Sequence, residues 1–273
     1  MLKVFWLFSL IPTFFLVSAT TVYLHRASTH GAVKFTPGAR WFFKFCIWFT
    51  GGPDEAEWDA GHRVHHLFSD KDGDPHSPYN EGFPEIQIGN VIYYIRWIRK
   101  HPELVERYSR DVRKRYGWWD HHVFKYHMLG IVLGTSSLCV VNGLYFHSVQ
   151  IGLLGGLVGA LLHFLTYVFL LTPSINGWCH FPITWLGNYQ HLFLKDGQWV
   201  SVEHAAKTFN NWVIAFLTGG EGLHYNHHWR RFSARFDRTR LELLADWGYW
   251  LWIVPMKWAG RAYDVKVAEW KFA

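Results

Sequence analysis

Two apolar runs with only four residues between them constrain this chain more than any other feature. Residues 128–146 and 151–172 contain no Asp, Glu, Lys or Arg, and His147-Ser148-Val149-Gln150 is all that separates them. At about 1.5 Å per residue, each is long enough to cross a hydrocarbon core of roughly 30 Å. The pair therefore reads as a transmembrane hairpin. A third run, residues 2–24, has Lys3 as its only charge. A signal peptide is the alternative for an N-terminal run, but this one is long for a signal core and leads straight into a polar His-Arg segment. Three spans are expected, at about 2–24, 128–146 and 151–172. Residues 41–49 are apolar but short and broken by Lys44, which suits an interfacial or buried helix. The patch at 249–255 is also too short to cross, and its Trp and Tyr suit a headgroup region.

The spans do not account for the whole chain. Mean hydropathy is −0.03, too low for a wholly buried bundle. Residues 53–125 and those from 173 onward are polar and rich in His, Asp and Arg. The expected architecture is an all-α integral membrane protein of one unit, 1–273, whose spans carry a helical cap built from about 25–125 and 173–273. Arg96, Arg99, Lys100, Arg107, Arg110, Arg113, Lys114 and Arg115 lie before the hairpin, and Arg230, Arg231, Arg235, Arg238 and Arg240 lie after it. The hairpin tip carries no Lys or Arg. The excess of positive charge thus places both polar segments in the cytoplasm and the tip and N-terminus outside. A net charge of +6 suits nucleic acid, an anionic membrane or an acidic ligand, and the spans favour the last two. Cys46, Cys139 and Cys179 form no C-x-x-C pair, which removes disulfide frameworks, thiolate zinc sites and iron–sulfur clusters.

Histidine is the residue in excess, 18 of 273, and it is clustered. His25 and His30 are five apart, about 140° on an ideal helix, so they meet only where the helix ends or bends. His62-Arg63-Val64-His65-His66 places three imidazoles on one helical face. His224-Tyr225-Asn226-His227-His228 repeats that H-x-x-H-H spacing. With thiolates absent, imidazole suits Zn, Cu, Fe or Ni. A catalytic zinc site commonly uses three protein ligands, and eight histidines are too many for one ion but about right for two. Two redox metals beside a membrane suit O2 activation against an unactivated C–H bond.

These boxes resemble the membrane fatty acid desaturase family, its acyl-CoA desaturases in particular. His62-Arg-Val-His-His-Leu-Phe-Ser-Asp-Lys-Asp-Gly-Asp-Pro-His76 is similar to that family's H-R-x-H-H…D-P-H signature, and Gly220-Glu-Gly-Leu-His-Tyr-Asn-His-His228 to its third box. The resemblance runs from about residue 20 to 240. It implies a non-haem di-iron centre held by His25, His30, His62, His65, His66, His224, His227 and His228. It adds His180 as a ninth ligand, with Asn176 acting through water, from the segment Asn176-Gly177-Trp178-Cys179-His180. It implies O2-dependent insertion of a cis double bond into a long-chain acyl substrate, carried by coenzyme A or by a lipid. Gly177 stands where the family usually has Ser. The usual members have four spans, two of them before box one, whereas 24 residues precede His25. Either the first span is dispensable in this lineage or the start is truncated.

Ligand imidazoles are usually oriented by carboxylates. Asp74 and Glu221 are the first candidates by proximity to the boxes, followed by Asp59 and Asp70. The resemblance nominates Lys114 and Arg115 for coenzyme A phosphates, and lipid anchoring explains them equally well. The chain has no haem-binding His-Pro-Gly-Gly, dinucleotide glycine fingerprint or cysteine cluster. A separate electron donor is therefore implied, a ferredoxin or a cytochrome b5-like protein with its reductase; no nucleic-acid partner is. His76, His101, His121, His122, His127, His147, His163, His191 and His204 are expected to lie outside the ligand set. His191 is a rival to His180 with the wrong spacing, and His163 is flagged by its place within a span. Two other readings compete. One is hydroxylation of an acyl chain, alkane or sterol at the same centre, which the D-P-H extension disfavours. The other is a non-catalytic zinc-binding membrane protein.

Overall fold

A computed structural model describes residues 1–195, 198–201 and 207–269; His204 lies outside the described residues. Among the described residues the chain is mostly helical, and its strands pair only in twos, so no sheet closes. Three helices among them are long and apolar enough to span a membrane: α1 (Leu2–Thr29), and later His127–Phe146 and Val149–His180. Between the first two lie α2 (Pro37–Phe49), α3 (Glu55–Phe68), α4 (Phe83–Lys100) and α5 (Pro102–Arg113). The hairpin helices are thus α6 and α7. Short helices follow, among them α8 (Trp212–Thr218), α9 (His224–Trp229) and α10 (Arg240–Ala245).

Two spanning helices outrun their apolar cores. α1 continues past residue 24 to Thr29, and α7 past 172 to His180. Each overhang carries polar residues that find partners within the protein, so the helix does not stop where lipid solvation would. The tight connection between α6 and α7 is made by His147 in the left-handed region (φ 51°) and by Ser148, whose hydroxyl caps α7 by accepting from the Ile151 N–H.

Helices in lipid associate by close packing of small residues. A Cβ at Gly152 would lie 2.7 Å from the Gly143 Cα, and one at Gly156 2.5 Å from the Cys139 Cα. The hairpin therefore closes backbone on backbone. Phe5 packs edge-on against Phe146 at 5.7 Å and Phe8 against Tyr145 at 5.4 Å. The start of α1 and the hairpin tip therefore share one end of the bundle. Thr29, His127 and His180 fall at the other, and there the polar segments gather. Val140, Leu144, Leu153, Leu157 and Leu161 remain more than half exposed on the hairpin's outer surface, a face suited to lipid.

The polar segments are tied to the spans by buried charge. Arg26 and Asp246, both fully buried, pair at 2.7 Å, and the Arg26 guanidinium lies 4.0 Å over the Phe236 ring. A broken buried pair leaves an uncompensated charge, so this contact fixes the last turn of α1 against the C-terminal segment. α10 opens with a capping box between Thr239 and Glu242.

Candidate metal centre

The i,i+5 spacing of His25 and His30 is resolved by the backbone itself. Over Thr20–Thr29 the helix widens to i→i+5 hydrogen bonding, and His30 N–H donates to His25 C=O at 3.2 Å. In a π-helical turn residues five apart come onto one face, as residues four apart do in an α-helix. The two rings lie 4.9 Å apart. α3 presents His62, His65 and His66, and α9 presents His224, His227 and His228. α7 delivers His180 at its last turn.

These nine histidines fall into two groups. His25, His30, His62, His66 and His227 bring one ring nitrogen each to within 4.8 Å of one another, as do His65, His180, His224 and His228. Neighbouring histidines of α3 and α9 are split between groups: His65 faces one and His66 the other, while His224 and His228 separate from His227. The two groups therefore sit side by side.

Hydrogen bonding decides which nitrogen faces inward. His65 Nδ1 lies 3.0 Å from Asp74 and His180 Nδ1 2.8 Å from Asp70 Oδ2, and His224 Nδ1 donates to the Glu221 carbonyl at 3.2 Å; His25 Nδ1 lies 2.5 Å from Glu221 Oε2 but outside hydrogen-bond geometry. An imidazole that donates from Nδ1 turns the lone pair of Nε2 inward. The inward nitrogens then crowd: His25 and His227 Nε2 are 3.0 Å apart, His66 and His227 2.9 Å, His62 and His66 3.1 Å, His180 and His224 2.8 Å. For His180 and His224, whose Nδ1 atoms are both engaged elsewhere, two lone pairs at this distance repel unless a cation lies between them. Two nitrogens sharing one ion at about 2.1 Å, at right angles, would sit roughly 3 Å apart. The inward His65 Nε2 is buried without a hydrogen-bond partner. The donor set fits two metal ions held by imidazole nitrogen.

The electrostatics agree. Burial, reinforced by neighbouring imidazoles, holds His30, His62, His66, His224, His227 and His228 well below the ordinary histidine range, so they are neutral and able to bind metal. His65 moves the other way. Burial lowers it, but the charge and hydrogen bond of Asp74 outweigh that. Asp74 is depressed because the same contact outweighs its own burial.

Asp70, ranked behind Asp74 and Glu221 from the sequence, supports His180 directly. It reaches the ring because its backbone takes up the left-handed region (φ 59°), with Ser77 Oγ donating to it at 2.9 Å. Asp59 touches none of the nine rings. It accepts from Ser28, Thr29 and Arg63, and crowding with Glu55 in a buried setting pushes its carboxyl up to about 8. Asn176 donates from Nδ2 to Asn90 Oδ1 at 3.0 Å, and Asn90 had no signal in the sequence. His191 bonds Glu242 at 2.8 Å, away from both groups. His163 joins the Thr13 hydroxyl at 2.8 Å to the Thr50 carbonyl at 2.9 Å, both outside the hairpin. Arg115 donates to Ser28 Oγ at 3.1 Å, and both Arg115 and Lys114 remain exposed.

Both groups open into one cavity of about 360 Å³. His25, His62 and His224 line it together with Glu221, Asn176, Trp58, Tyr94 and Leu171. A second cavity of about 600 Å³ runs among Phe8, Phe15, Phe42, Phe45 and Leu138 within the spans. Gly51, Phe164, Tyr167 and Val168 line both cavities. A long apolar chain could thus extend from beside the histidines into the interior of the spans.

Comparison with known proteins follows this geometry. Residues 3–247 match the family model described as fatty acid desaturase. An acyl-CoA C20 Delta5-desaturase of Anemone leveillei is 28% identical over 271 residues, covering 97% of this chain and 74% of that protein. An sn-1 stearoyl-lipid 9-desaturase of Anabaena variabilis is 28% identical over 258 residues, 91% of this chain and 79% of its own.

Proposed function

The chain belongs to the fatty acid desaturase family, and from that premise we propose that it inserts a cis double bond into a long-chain fatty acyl substrate at a two-iron centre. The similar proteins act on acyl-CoA in one case and on an acyl-lipid in the other, and a long acyl chain is what the two substrates share. The observation that carries the reading is the opening of two adjacent histidine groups into one apolar cavity. The balanced reaction is –CH2–CH2– + O2 + 2 e⁻ + 2 H⁺ → –CH=CH– + 2 H2O.

His25, His30, His62, His66 and His227 would hold one iron, and His65, His180, His224 and His228 the other, with Asn176 contributing through water. Two irons, when bound, supply the oxidising power by which O2 removes hydrogen from unactivated methylenes. The rest of the chain positions and shields. Glu221, Asp70 and Asp74 fix the rotation of the His25, His180 and His65 rings. Trp58 stacks on His62 at 4.8 Å and forms part of the cavity wall. The apolar cavities hold one stretch of substrate beside the histidines and exclude water from it.

The electrons come from a separate donor, such as a ferredoxin or a cytochrome b5-like protein. A third cavity of about 550 Å³ reaches His66 and His228 among Arg230, Arg231 and Lys266, a basic approach for an acidic carrier. The polar segments belong on the cytoplasmic side, with residues 1–273 acting as one unit. The test is expression in a host that makes only saturated chains, with a redox partner supplied. A new unsaturated chain on mass spectrometry is expected. A hydroxylated chain instead would assign the centre to hydroxylation, and no modified chain would overturn the enzymatic reading.

A further inference from the structure

His76 is a tenth imidazole at this site, itself buried, and it completes neither group. It is 6% exposed, and neither ring nitrogen has a hydrogen-bond partner among the described residues. Its backbone N–H is held by Asp74 Oδ1 at 3.1 Å, and its ring stacks on His65 at 4.7 Å, tilted by 23°. A separate ion between His65, Asp74 and His76 does not fit. His65 Nδ1 is already spent on Asp74, and Asp74 also accepts from the Asp70 and His76 N–H groups.

The His76 side chain lines the same cavity as His224, Asn90 and Asn176. A neutral imidazole carries one donor and one acceptor, and burying both unpaired is costly. The methylenes of an acyl chain offer neither partner. A small polar ligand in the cavity does. The four-histidine group, which includes His65, has one imidazole fewer than its neighbour. Asn176 spends its amide N–H on Asn90, which leaves its Oδ1 free to accept.

We propose that His76 is a positioning residue for a water molecule at the open side of the four-histidine group, shared between its ring and the Asn176 side chain. The inference rests on the reading of the histidines as a metal centre. His76 fixes where a small oxygen ligand sits beside the substrate, and it does so by hydrogen bonding alone. Glutamine preserves a donor and an acceptor at this position, whereas phenylalanine preserves only the shape and the stacking on His65.

The test combines metal analysis with pulsed EPR of the mixed-valent iron protein in D2O. Wild type is expected to show, beyond the weak couplings of the ligand imidazole N–D groups, the strongly coupled deuteron of a water at the metal. His76→Phe should keep the wild-type metal content and lose that coupling, and His76→Gln should keep both. A coupling unchanged in His76→Phe at full metal content would show that His76 only packs, and loss of one metal would show that it is a ligand; either overturns the proposal. Absence of the deuteron in metal-loaded wild type overturns it whether or not the variants fold. Wild type that binds no metal overturns the metal-centre reading itself, which the metal analysis detects separately.

Discussion

Asp74 faces His65 with both carboxylate oxygens 3.0 Å from Nδ1 and also accepts from the backbone N–H groups of Asp70 and His76. One carboxylate thereby organises the loop after α3 and turns His65 Nε2 toward the four-histidine group. Asp74→Asn keeps the shape but removes the charge and one acceptor oxygen. Loss of such a support costs about 10- to 100-fold in metal affinity. The expected outcome is selective loss of one of two metals, read by elemental analysis of the purified variant. Full retention of both would mean that Asp74 organises the loop alone.

Acid should destabilise the metal-free protein. Burial lowers the proton affinity of seven imidazoles, those of His30, His62, His66, His76, His224, His227 and His228. In the unfolded chain they protonate near 6.5. Below that pH the unfolded state binds more protons, so stability falls as pH falls toward the folded-state values. Four groups act in the opposite sense, because the raised affinities of His65, Asp59, Asp246 and Glu57 favour the folded state on acidification. Seven against four sets the net direction. The apparent melting temperature of metal-stripped protein in detergent should drop between pH 7 and 5, and a rise would contradict this balance.

The hairpin depends on Gly156. A Cβ there would meet the Cys139 Cα and N at 2.5 Å, backbone that cannot yield, as well as the Cys139 Sγ. Gly156→Leu should separate α6 from α7 at a cost of at least about 1–3 kcal/mol. Thermal unfolding should show a clear fall in melting temperature. An unchanged value would mean that the helices are not in backbone contact.

Val168 lines both the cavity beside the histidines and the cavity within the spans. Val168→Trp should narrow the passage between them. A misfit of a single methylene is worth about tenfold or more in discrimination, so kcat/KM for the longest accepted acyl chain should fall at least that much while shorter chains are spared. Competition assays over a chain-length series would show it. A uniform fall across all lengths would place the acyl tail elsewhere.

The spans were legible because crossing lipid requires a long apolar run, and two such runs four residues apart leave little choice. The nine histidines were legible from spacing and resemblance, since i, i+3 and i+4 share a helical face. Their division into five and four was not. His66 and His227 are 161 positions apart, and only the packing of α3 against α9 joins them in one group. Nor did spacing separate Asp70 from Asp59. Asp59 lies on the same helix as His62, yet Ser28, Thr29 and Arg63 hold it, while a left-handed turn brings Asp70 back to His180. Asn90 gave no signal, because its part depends entirely on its contact with Asn176 across the fold.

The most direct measurement is the number and identity of metal ions per chain in protein purified anaerobically from an iron-replete host. Two separate histidine groups predict two irons per chain, with His227→Ala depleting one and His224→Ala the other. A single ion per chain, two zincs that iron does not replace, or loss of both metals together in each variant would contradict two distinct iron sites.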